Sequence, residues 1–109
     1  MLQNITGGTA MLSSAQVSQI LADERAYQDE TYSPKEMLSS GQTRAERDLD
    51  VTPGLTLLSA YVRKAEDAWV NRKGSDLAAL QQIAKIAAIA VHILETAGGS
   101  EALLNAGLR

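Results

Sequence analysis

Apolar positions in this chain are concentrated in its second half and recur there with helical spacing. Leu58, Tyr61, Val62, Ala65, Ala68 and Trp69 form a stripe at three- and four-residue intervals, the mark of an amphipathic helix. Thr52-Pro53 is its start signal, and Lys73-Gly74 its stop, with positive charge in the last turn and glycine beyond it. Ser75-Asp76 opens a further helix, whose apolar positions run Leu77, Leu80, Ile83, Ala84, Ile86, Ala87, Ile89, Ala90, Val91, Ile93 and Leu94. From Ile83 onward that helix is apolar on nearly every side, so it is expected to be buried all round. A chain this short can hardly surround it alone, which points to a partner subunit. Gly98-Gly99 ends it, and Ser100 is the expected cap of a last short helix, Glu101 to Ala106.

The first half is less regular. Met1 to Leu12 lacks periodicity and reads as a flexible arm. Ser13 with Gln16 is a capping-box pattern, opening a helix to Tyr27 with Val17, Ile20, Leu21, Glu24 and Tyr27 or Gln28 on one face. Gln28 to Val51 is too long for a structureless loop and should hold short helical turns. Ser33-Pro34-Lys35-Glu36 predicts one, ended by Gly41. Thr43 to Leu49 predicts another, with Arg44 and Arg47 on one side and Glu46 and Asp50 on the other. Its charges read as a solvated surface.

The expectation is one all-α domain over residues 1–109. It is an antiparallel bundle built on two long helices, about 53–72 and 76–97, with an N-terminal helix, short helical turns and an oligomeric state. Composition agrees. Hydrophobic residues make up 45% and aromatics only 4%, with no Phe, so the core must be aliphatic and the helices close together. Runs of β-branched and aromatic residues with period two are absent.

The net charge of −3 gives no basic field for nucleic acid, and nucleic acid is not an expected partner. The absence of cysteine removes disulfide and thiolate chemistry. The N-terminus has no signal-peptide pattern. Ile83 to Leu94, interrupted by Lys85 and His92, is too short to span a bilayer. A cytoplasmic protein without a membrane partner is expected.

Three stretches carry a resemblance. Glu24-Arg25-Ala26-Tyr27-Gln28-Asp29-Glu30 ends the early helix. Leu57 to Trp69 reads LLSAYVRKAEDAW, and Ala79 to Glu95 reads ALQQIAKIAAIAVHILE. In that order they resemble the MazG-like, all-α nucleoside triphosphate pyrophosphohydrolases, particularly small phage-type members. The resemblance implies a Glu-Arg-x-x-Gln-Asp stretch in the first, a Glu-Glu-x-x-Glu helix in the second and a Glu-x-x-Asp helix in the third. In the family those carboxylates hold magnesium, a hard cation that needs oxygen ligands.

Here the matching positions are Ala60, Tyr61 and Lys64, then Gln82 and Lys85, and none is a carboxylate. Glu66 and Asp67 follow Lys64 but are turned about 200–300° around the helix from it. Tyr61 with Lys64, and Gln82 with Lys85, still share a face in each helix. If those faces oppose, two ammonium groups enter the cleft and a ligand phosphate can sit between them. Arg63, Gln81 and His92 could add donors; Tyr27, Tyr32 and Trp69 could stack on a base, although packing is the ordinary role of such side chains. A lone histidine such as His92 reads first as a core or interface residue and makes no metal site.

What the resemblance implies is therefore a catalytically inactive nucleotide-binding protein without a cofactor. Such a protein could be a phage protein sequestering a host immune signal in the host cytoplasm. The candidate ligand-binding residues are Tyr61, Lys64, Gln82, Lys85, Arg63, Gln81, Tyr27 and Trp69. Two other readings stand beside it. One is a metal-dependent pyrophosphohydrolase with a displaced site drawn from Glu24, Asp29, Glu30, Glu66 and Asp67. The other is a structural oligomeric adaptor.

Overall fold

A computed structural model describes residues 10–71 and 76–108. Five helices follow one another: α1 (Ser14–Thr31), α2 (Arg44–Arg47), α3 (Val51–Asn71), α4 (Asp76–Thr96) and α5 (Ala102–Ala106). The chain is an all-α bundle in which α3 and α4 pack chiefly against each other and α1 lies against α4. Among the described residues the one β feature is an isolated bridge between Met37 and Thr43. The N-terminal arm expected over 1–12 lies outside the described residues up to Thr9, as does the Lys73-Gly74-Ser75 break.

Local signals set the helix starts. Ser13 Oγ accepts from the Gln16 amide at 3.1 Å, and Gln16 Oε1 accepts from the Ser13 amide at 2.8 Å. This reciprocal cap satisfies two donors that the first turn leaves free. Thr43 and Glu46 repeat it at α2. The two caps hold α1, which runs four residues beyond Tyr27, and the short α2. The expected Ser100 cap is not made: Glu101 occupies the cap position of α5, without a side-chain bond.

The turn expected at Ser33-Pro34 does not become a helix, and the hydrogen bonds explain why. A helix would give the Pro34 carbonyl to the Leu38 amide. Instead Pro34 O accepts from Ala45 N at 2.9 Å, Glu36 O accepts from Arg44 N at 2.8 Å, and Leu38 N donates to Gln42 O at 2.7 Å. The segment folds back on itself over Gly41, whose φ of +90° few other residues adopt, and sets α2 down beside α1 and α4.

The hairpin of α3 and α4 is antiparallel. Near its open end a Cβ on Gly54 would lie 2.7 Å from Ile93 Cδ1, so the missing side chain is what lets the helices approach there. Near its closed end Trp69 Nε1 donates to Asp76 Oδ1 at 3.2 Å. Gly98 N donates to Leu49 O at 2.9 Å and ties the chain beyond α4 to the start of α3.

The expectation that α4 is enclosed on all sides fails for the chain by itself. Of the residues of α4 only Ala88 and Ile89 are buried, and they are the only buried ones among the described residues. Leu80, Ile83 and Leu94 are more than half exposed, because α3 and α1 cover only two sides of the helix. At 21 residues α4 is also long and apolar enough, by length and composition, to cross a membrane.

Candidate functional site

Where α1, α2, α3 and α4 converge they enclose a cleft of about 520 Å³, within the size range of small-molecule sites. Each wall has its own chemistry. From α1 come Glu24, Arg25, Tyr27, Gln28 and Asp29, and from the turn after it Tyr32 and Pro34. Arg44, Arg47 and Asp48 come from α2 and its end, and Leu57 and Tyr61 from α3. Lys85, Ile89, His92, Glu95 and Thr96 come from α4. A smaller cleft of about 230 Å³ shares Arg47, Asp48, Leu57, Ile89, His92 and Thr96 with it and runs toward Gly54 and Ile93.

The side that α1 turns to the cleft is polar. Its apolar residues Val17 and Ile20 are largely exposed, whereas Glu24, Arg25 and Gln28 are half-buried. Lys85, His92 and Glu95, the charged or titratable residues of α4 after its first turn, stand at i, i+7 and i+10 and so share one side of the helix. That spacing was a signal of the cleft in the sequence. It is masked by the surrounding apolar run, which reads as uniform burial.

The lining charges form a chain of pairs. Lys85 Nζ lies 3.6 Å from Glu24 Oε2, which also accepts from Gln28 Nε2 at 3.1 Å, and 5.8 Å from the centre of the Tyr27 ring. Arg25 bonds Asp29 at 3.1 Å and also Glu95. Arg44 Nη2 donates to Glu36 Oε1 at 2.7 Å, and its guanidinium lies 5.2 Å from the Tyr32 ring centre, within cation–π range. Arg47 donates through both Nε and Nη2 to Asp48 Oδ1, and Asp48 Oδ2 is 2.8 Å from His92 Nε2. Burial pushes the Asp48 carboxyl up, but the hydrogen bonds from His92 and Arg47 and their charges outweigh it and hold the group below its ordinary value.

Arginine and lysine on the lining thus meet an equal number of carboxylates, and each cation has an acidic partner. The cleft is a balanced ionic surface. An entering anion must use spare donors or displace a carboxylate. Two groups offer spare donors. Arg44 Nε has no hydrogen-bond partner and no exposed surface, so it can donate to a ligand once the guanidinium turns toward the cleft. Lys85 holds its one carboxylate at a distance longer than a good charged hydrogen bond.

Tyr27, Tyr61 and Lys85 thus line the cleft. Lys64, Arg63 and Gln81 are exposed and do not. The Lys64 ammonium sits 4.4 Å above the Tyr61 ring, its charge kept toward water, and does not oppose Lys85 across the cleft. Gln82 is half-buried with Oε1 lacking a partner, and Trp69 is held by Asp76; neither reaches the lining. Arg44, Arg47 and Asp48, expected as solvated surface, are half-buried walls of the site, because the turn over Gly41 swings α2 inward. Glu46 and Asp50 of the same cluster are exposed. His92 is neither enclosed nor idle but paired to Asp48 at the cleft.

A magnesium site of the kind the resemblance implies does not fit these residues. The motif positions offer no carboxylate, and the lining carboxylates are each engaged by a cation. Among the described residues no three of His, Asp and Glu come close enough together to hold a metal ion. Glu66 and Asp67 are exposed and outside the cleft. Compared with protein-family models, curated proteins and solved structures, the chain matches none.

Proposed function

We propose that this chain is a nucleotide-binding protein that captures a phosphate-containing nucleotide in the cleft and does not hydrolyse it. The observation that carries the reading is the meeting of Arg44, Arg47 and Lys85 with three tyrosines on the lining of one cleft, Arg44 keeping one guanidinium donor unpartnered. Guanidinium groups suit phosphate because their fixed donors match its oxygens. Tyr27, Tyr32 and Tyr61 offer ring faces for a base. Glu24 and Asp29 can accept from ribose hydroxyls or exocyclic amines. The cost of loosening Arg25, Arg47 or Lys85 from its carboxylate makes the site selective, because a simple anion brings too little in exchange.

Capture rather than turnover is proposed because Ala60, Tyr61, Lys64, Gln82 and Lys85 stand where the MazG-like pattern has acids. On the resemblance to small phage-type members, the ligand would be a nucleotide signal of the host's defence, sequestered in the host cytoplasm. Titration calorimetry against cyclic dinucleotides, ADP-ribose derivatives and nucleoside triphosphates tests the reading. Binding of one class without magnesium, and no pyrophosphate release with it, is the expected outcome. Failure to bind any of them, with or without magnesium, sinks it.

A further inference from the structure

The charge of the cleft limits what it can hold. Its cations are Arg25, Arg44, Arg47 and Lys85. Among the described residues they are met by five carboxylates. Arg25 pairs with Asp29 and Glu95, Arg44 with Glu36, Arg47 with Asp48, and Lys85 with Glu24. The acids of this network therefore outnumber its cations by one before any ligand enters. His92, bonded to Asp48, offsets that single charge only when protonated. The Arg25, Arg44, Asp48 and Glu24 side chains are 13–19% exposed, so salt screens these charges less than it would on open surface.

A polyphosphate needs the opposite balance, an excess of cations or a metal that bridges its oxygens. Among the described residues no group of His, Asp and Glu is placed to hold such a metal. The spare donors suit one phosphate. Arg44 keeps Nε unpartnered, and Lys85 holds Glu24 only loosely at 3.6 Å. A phosphate monoester carries a charge of about −1.5 to −2, which these two cations can meet by easing away from Glu36 and Glu24. Each further phosphate adds negative charge. On this lining it comes up against Asp29, Asp48 or Glu95, whose cations are already shared.

We infer that the cleft selects a nucleotide carrying a single phosphate and rejects metal-free nucleoside di- and triphosphates; this rests on the cleft being a nucleotide site. Selection comes from repulsion as much as from attraction. The carboxylates that hold Arg25 and Arg47 in place are the groups that turn extra phosphates away. An open basic patch behaves in the reverse manner, since its field draws a more highly charged anion more strongly.

Calorimetry of the full chain against the common ribonucleoside 5′-monophosphates, diphosphates and triphosphates, in EDTA, tests this. At least one monophosphate is expected to bind, its diphosphate more weakly, and its triphosphate about tenfold more weakly or worse, the scale of one poorly screened like-charge contact. The gap should close as salt is raised from about 0.01 to about 1 M, which shortens the screening length from about 30 to about 3 Å. Glu95→Gln removes one acid from the lining and should narrow the gap by strengthening triphosphate binding, whereas loss of a merely structural clasp would weaken both ligands alike. Affinity that is equal along the series, or that rises with phosphate number, overturns the inference and leaves the nucleotide reading standing. So does a gap that neither salt nor a folded Glu95→Gln variant narrows. Binding by no member of the series overturns it too, and the nucleotide reading falls with it only if the cyclic dinucleotides and ADP-ribose derivatives also fail to bind.

Discussion

The two faces of the α3–α4 hairpin are built from the same helices and share almost no chemistry. The cleft face carries Tyr61 from α3 and Lys85, His92 and Glu95 from α4, and those three of α4 pair with Glu24, Asp48 and Arg25 of the facing walls. The back carries Leu55, Val62 and Trp69 with Leu80, Ile83 and Leu94, all of them about half exposed. One face is crowded with charge that is already paired. The other is bare and uncharged. The contrast teaches that apolar content alone does not locate a core. α4 has its few buried side chains on the side where its charges are, because α1 and the Gly41 turn bring polar walls and their aliphatic stems to that side.

The sharpest way to break this contrast is to truncate one isoleucine from each face. Ile89 is 7% exposed and forms part of the cleft floor. Ile89→Ala should cost about 2–5 kcal/mol, enough to unfold much of a marginal domain, whereas Ile83→Ala, on the exposed face, should leave the helical signal and most of the stability intact. Chemical denaturation of the two variants separates them. Equal losses would erase the distinction between the faces.

A smaller effect follows from acid. Folding lowers the Asp48 pKa, so between the folded and unfolded values the unfolded chain binds more protons. The stability this group contributes is complete above the unfolded value, near pH 4, and is lost as the pH falls through the folded value. Asp48→Asn should therefore flatten the decline of melting temperature below about pH 4. An Asp50→Asn control, changing an exposed carboxyl, should not. The smallest expected effects are the caps: Ser13→Ala and Thr43→Ala should each cost about 1 kcal/mol. Only Thr43→Ala should also disturb the cleft, since its turn positions Arg44.

What the sequence reveals and conceals follows from the range of the interactions. Ser13 with Gln16, and the stripe from Leu58 to Trp69, depend on neighbours three or four residues away and could be read directly. The same is true of the all-α class and the two long helices. The place of Arg44 and Arg47 could not, because it depends on carbonyls of Pro34 and Glu36 being taken by residues 45 and 44 instead of by the next helical turn. The role of Gly54 depends on Ile93, distant in sequence. Of the candidate binding residues, Tyr27, Tyr61 and Lys85 could be placed because they project from regular helices toward α1 and α4. Lys64 shares the Tyr61 face only approximately, and that offset leaves its ammonium in water.

The central claim is that the paired, tyrosine-lined cleft holds a nucleotide through Arg44. It is tested most directly by calorimetry of the wild type and Arg44→Gln with the nucleotide class that binds, Lys64→Gln serving as control. The expected result is a loss of tenfold or more in affinity for Arg44→Gln, as a charged hydrogen bond of about 1.5–3 kcal/mol implies, with no change for Lys64→Gln. Undiminished affinity in Arg44→Gln, or an equal loss in Lys64→Gln, would contradict it.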